Sequence, residues 1–144
     1  MIHVNSVTAA LHGLLTADPV LVASGFTVEE GEPFNHDFNL TPWVGIYHGT
    51  LGIDPRTLGG VQPWEGQLEL AIYVQEASMR SGQEATRRLS QAQAAVLGAL
   101  NADRTLGGAV LMLTGMDVMP YQRDLAEDTW LFTNEIALKA TVRG

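Results

Sequence analysis

Apolar residues recur along this chain at two alternating periods, and the switches between the periods lay out its elements. Val7, Leu11, Leu14 and Leu15 fall on one side at spacings of three and four. That pattern predicts a first helix of about 12 residues, capped by Asn5 or Ser6 and ended by Asp18-Pro19. Phe26-Thr-Val28 then predicts a short strand. From Pro42 to His48 the period is two, with Trp43, Gly45 and Tyr47 on one face and Val44, Ile46 and His48 on the other. Gln67 to Gln75 is the cleanest strand: Leu68, Leu70, Ile72 and Val74 alternate with Gln67, Glu69, Ala71, Tyr73 and Gln75.

The period changes back at Ser81. Ala85, Leu89, Ala92, Val96 and Leu100 repeat at four, three, four and four, which predicts a long helix to about Leu100. Ser81 suits its cap and Glu84 completes a capping box. The stripe is narrow and rich in Ala, so this helix can approach a sheet closely. Asn101 and the glycines after it stop the helix. Strands follow over 109–114 and 116–123, then a charged turn over 124–128, then a last strand over 129–142. In that strand Trp130, Phe132, Ile136, Leu138, Ala140 and Val142 share a face that Asn134 interrupts.

The order is α, β, β, long loop, β, α, β, β, β. It predicts one α+β domain over residues 1–144, with two helices on one face of a mostly antiparallel sheet. The long loop is Gly49 to Gly66, where Gly49, Gly52, Pro55, Gly59, Gly60 and Pro63 preclude regular structure throughout. A loop of that length in a compact domain is uncommon and usually binds something or is disordered. Asp54, Arg56, Leu58 and Trp64 are therefore read as a candidate interaction loop. Its segment Arg56-Thr-Leu-Gly-Gly60 repeats as Arg104-Thr-Leu-Gly-Gly108. Two copies of a turn are not a repeat architecture.

Composition narrows the function. Charged residues make up 17% of the 144, against about 25% in an average protein. Less of the surface strongly prefers water, which points to surface covered by partners or else to a monomer whose surface is rich in Thr, Ser, Gln and Gly. Eight basic residues against sixteen acidic ones give a net charge of −8. Gripping a phosphate backbone needs Lys and Arg to displace counterions, so DNA binding is disfavoured, whereas a channel with negative walls lets DNA slide. With no cysteine, disulfide scaffolds and thiolate metal sites are excluded. The start Met1-Ile-His-Val-Asn-Ser lacks the basic and apolar regions of a signal peptide. The longest apolar run, Ala109 to Leu113, is far short of the roughly 20 residues of a membrane span. These features predict a soluble, intracellular protein.

Catalytic constellations are not evident. His3, His12, His36 and His48 form no spaced pair of the zinc-binding kind. Glu29, Glu30 and Glu32 sit in one short run, without the contrast of environments that acid/base pairs need. They read as a solvated acidic face or one turned to a partner. Neither Gly59-Gly60 nor Gly107-Gly108 matches a phosphate-cradling loop, and no nucleophile elbow is present. Trp43 and Trp130 lie on predicted strands and are assigned to the core, while Trp64 is the better contact residue.

The C-terminal half then resembles a known family. A strand over 68–75 is followed by Ser81-Gly82 and the Ala-rich helix ending Val96-Leu-Gly-Ala-Leu100. Next come Asp103-Arg104-Thr-Leu106-Gly107-Gly108, a strand, Pro120 in a second strand, and the closing Ile136-Ala-Leu-Lys-Ala-Thr-Val-Arg143. This looks like the tail terminator, or tail completion, proteins of long-tailed bacteriophages, over roughly the last 80 residues and loosely over the first helix. The Gly49–Gly66 loop has no counterpart in it.

The resemblance implies a ring of six copies that caps the tail tube, ends its polymerisation and offers a surface to the head–tail connector protein. It implies a structural virion protein assembled in the host cytoplasm, not an enzyme, with no cofactor, metal or membrane partner. DNA would pass through the ring without specific binding. In that ring Glu29, Glu30 and Glu32 are candidate lumen or rim acids, and Arg104, Leu106, Gly107 and Gly108 are a candidate turn. Two alternatives stand beside it. One is another neck or head-closure adaptor protein. The other is a small α+β enzyme or ligand-binding domain with a pocket near Trp43, Tyr47 and Tyr73.

Overall fold

The computed structural model describes residues 4–31, 42–78, 80–126 and 128–144. Glu32, His3 and His36 lie outside those residues. The first helix, α1 (Val4–Thr16), buries Val7, Leu11 and Leu15, as its apolar spacing predicts. Asn5 and Ser6 lie inside it and not at its cap. Asp18 serves a different helix. Its carboxylate accepts from the backbone N–H of Val20 (3.0 Å) and Leu21 (3.1 Å) and so caps α2 (Pro19–Ala23). Pro19 opens α2, where no backbone donor is needed. The long helix α3 (Gly82–Ala102) starts on the hydroxyl of Ser81, which accepts from Glu84 N–H at 3.0 Å. Among the described residues there are therefore three α-helices where two were expected.

Five strands follow: β1 (Thr27–Glu30), β2 (Trp43–Ile53), β3 (Glu65–Ser78), β4 (Met112–Ala126) and β5 (Thr129–Arg143), ordered β1-β2-β3-β5-β4 across one sheet. The sheet is mixed, which corrects the expected mostly antiparallel one. β1 runs parallel to β2, while β2–β3, β3–β5 and β5–β4 are antiparallel. Strand direction depends on the return connection and not on the alternation within a strand, so the pattern of β1 carried no sign of it. The predicted strands 109–114 and 116–123 are one strand. Gly115, which broke the alternation, sits at a shift of register between Leu113 and Gly115. The irregular segment 49–66 is also shorter than expected. β2 runs on to Ile53 and β3 begins at Glu65, so residues 54–64 close a hairpin around a 3-10 turn, Pro55–Thr57.

One face of the sheet carries the main core. Val44 and Ile46 of β2, Leu68 to Val74 of β3 and Ile136 to Val142 of β5 meet the buried faces of α1 and α3. Pairs such as Ile72–Ile136 and Leu70–Leu138 stack directly across strands. Asn134, the polar interruption on β5, reaches out of this core: its amide donates to Gln93 Oε1 on α3 at 2.6 Å and its oxygen accepts from Arg123 on β4. On the other face Trp43, Ala71 and Tyr73 make a small second cluster. There Gln75 donates to Thr133 Oγ1 at 3.0 Å, both fully buried. Trp43 is core, as expected. Trp130 is half-buried, edge-on to Phe132 at 6.1 Å.

Candidate interaction surfaces

Glu29 and Glu30, the described part of the acidic run, do not form a single patch. Glu29 pairs with Gly45 and Glu30 with Ile46 on β1. Neighbours on a strand point to opposite faces, so Glu30 lies on the helix side, beside Ala9 and His12, and Glu29 on the open side. His12 is satisfied in place, with Nε2 3.1 Å from Val28 O.

The hairpin loop is held by its own polar groups. Asp54 Oδ1 accepts from Arg56 N–H at 3.0 Å, and the Arg56 guanidinium reaches Asp54 Oδ2 at 2.8 Å. This pairing holds the Asp54 carboxyl below, and the Arg56 guanidinium above, its ordinary range. Thr57 donates to Asp54 O at 2.7 Å, while its hydroxyl accepts from Glu65 N–H at 2.9 Å. Trp64 is half-buried and packs on the core. Its carbonyl accepts from Gly144 N–H at 2.8 Å, and a side chain at Gly144 would strike the indole. The loop's outward apolar groups are Leu58 and the fully exposed Val61.

The turn after α3 is built for packing. Leu106 is buried at φ 51°, followed by Gly107 at 67° and Gly108 at 90°. Left-handed backbone favours glycine, and Leu106 adopts it with its side chain anchored in the core. Arg104 stays outside, donating to Asn101 Oδ1 at 2.7 Å, and its carbonyl accepts from Leu113 N–H at 2.8 Å.

The open face of the sheet holds a groove of about 540 Å³. Ala71, Ala137 and Gly115 form its floor, with Tyr47, Tyr73 and Lys139 among its walls. The pocket expected near Trp43, Tyr47 and Tyr73 thus has its two tyrosines at the groove, while Trp43 is fully buried and does not line it. Among the described residues no group of three or more His, Asp and Glu side chains is placed to hold a metal. No described helix is long and apolar enough to cross a membrane.

The last surface was not singled out from the sequence. β4 ends the sheet, and Met112, Met116, Val118, Met119 and Leu125 on it are exposed. The sequence does carry a signal: Pro120 cannot donate to a ladder and belongs on an edge strand.

No family model matches the sequence, and no curated protein matches it. Among solved structures the chain is similar to one from the virion of a native gene transfer agent particle, at 17% identity and a TM-score of 0.53. The match spans 95% of this chain and 94% of that one, and at this identity it is a likeness of fold.

Proposed function

We propose that this chain is a structural subunit of a phage-like virion and, within it, the tail terminator. Six copies close into a ring on the end of the tail tube, stop its polymerisation and give the head–tail connector its landing surface. The observation that carries the reading is the end-to-end fold likeness to a chain of a gene transfer agent virion. The helix, turn and strand pattern of the last 80 residues supports the narrower role. A ring subunit needs a heterologous contact whose rotation closes, and an apolar edge strand suits one. The net charge of −8 per copy keeps DNA from adhering as it passes. In this reading the protein is assembled in the host cytoplasm and acts without catalysis or cofactor. In the same reading the acids of β1, Glu29 and the more exposed Glu30, line the lumen or rim.

The test mixes the purified protein with tail tubes and images the tubes by electron microscopy, alongside native mass spectrometry. Closed rings on tube ends, and tubes that stop lengthening, are expected. Tubes that elongate regardless, with no added density at their ends, reject the proposal. The groove favours a second reading, a small-ligand site between Tyr47 and Tyr73. A ligand screen by thermal shift with Tyr73→Ala as control separates it from the first.

A further inference from the structure

We infer that the apolar strip along β4 is one half of the seam between copies of this chain, an inference that rests on the ring reading above. Leu111, Met112, Met116, Val118, Met119 and Leu125 are each between 37% and 52% exposed. Together they show on the order of 500 Å² of apolar surface, spread over both sides of the edge and comparable in area to a large patch on a monomer. That is more than half of the roughly 800 Å² each partner contributes to a stable interface.

The strip wraps the edge. Met116 and Val118 pair with Leu138 and Ile136 and so lie on the helix side; Met119 pairs with Glu135 on the open side. A partner must therefore straddle the strand. The backbone of the same edge is blunted. Pro120 offers no donor, and register shifts fall between Leu113 and Gly115 and between Pro120 and Gln122. A long, flat apolar edge would invite open-ended strand addition. This one keeps the apolar side chains and interrupts the ladder, which suits a contact made by side chains and limited in number. A second copy is the occupant because a self-assembling ring must supply both halves of its seam from one chain.

Two variants test this. Met116→Lys with Met119→Lys places charges where the seam would bury them, and the assembled fraction at fixed concentration should fall more than about tenfold. Circular dichroism melting should stay near wild type, since both side chains are exposed in the single copy. The second variant uses the absence of cysteine: Val118→Cys carries the sole thiol, and a thiol reagent should label the single copy and spare the assembled form. Assembly unchanged by the lysines, or equal labelling in both forms, overturns the seam while leaving the ring reading intact. A chain that stays single both alone and on tail tubes overturns the ring reading itself. A thiol protected only when a different virion protein is added gives the strip to another partner and rejects the inference.

Discussion

Leu58 and Leu106 hold the same place in two identical pentapeptides, Arg-Thr-Leu-Gly-Gly, and adopt opposite fates. Leu58 is 53% exposed at φ −80°, on the hairpin loop. Leu106 is 3% exposed at φ 51°, inserted in the main core. Five residues of identical chemistry are therefore not a structural unit here. What surrounds them decides whether the leucine is worth burying at the cost of a left-handed backbone.

The two leucines should respond very differently to truncation. Leu106→Ala should cost about 2–4 kcal/mol, as buried Leu→Ala changes do. Leu58→Ala should stay within about 0.5 kcal/mol. Urea unfolding of both variants checks the contrast, and equal costs would contradict the burial described.

Gly45 lies under Trp43. An added Cβ would strike the indole ring and sit 2.7 Å from Gly31 O. Neither a buried indole nor backbone can give way cheaply, so Gly45→Ala should destabilise by about 1–3 kcal/mol. Tryptophan emission should report the displaced ring. An unchanged melting temperature and spectrum would show that this packing is looser than drawn.

Asn134 links three elements through Gln93 and Arg123. Arg123 also donates to Thr133 O at 2.7 Å and lies 4.9 Å from the centre of the Phe132 ring. Asn134→Ala leaves both partners short of a bond and should cost about 1–2 kcal/mol. Gln93→Ala in the Asn134→Ala background should add less than it does alone, and a double-mutant cycle measures that coupling. Strict additivity would dissolve the link.

Glu76 is a buried carboxylate on the core face of β3. Its Oε1 lies 3.5 Å from Arg88 Nη2, and its Oε2 has no hydrogen-bond partner among the described residues. Burial raises its pKa above the ordinary 4.5, against the smaller opposing pull of Arg88. Between the unfolded and the folded value the native state holds more protons than the unfolded one. Stability from this group is thus present at low pH and lost as pH rises through the folded value. Glu76→Gln should therefore melt higher than wild type at pH 7, and the gap should close as pH falls towards 4.5. A gap that is constant with pH would mean that Glu76 does not titrate in this way.

Much of the candidate surface was legible where local chemistry governs it. The glycines and prolines of 49–66 marked a loop, and the part over 54–64 is one, closed by Asp54, Arg56 and Thr57 acting on their own neighbours. Trp64, the contact residue assigned to it, is half-buried on the core beside Gly144, eighty residues away in sequence, a neighbour that no local pattern announces. The acidic run illustrates the same limit. Adjacent glutamates looked like one patch, but the pleat of β1 turns Glu29 and Glu30 to opposite faces.

From residue order alone came the elements whose causes are local: the 3.6-residue stripe of α3, the serine that caps it, the alternation in β3 and β5, and the α+β class. Periodicity and capping act within a few residues, so they can be read without knowing what lies across the fold. Tertiary structure decided the parallel pairing of β1, the order that inserts β5 between β3 and β4, and the exposure of β4 at the rim. Those depend on which backbone edges remain unpaired once the strands have assembled. Met116 and Val118 carry the same apolar pattern as a core strand, and they face outward because, among the described residues, no further strand pairs with β4.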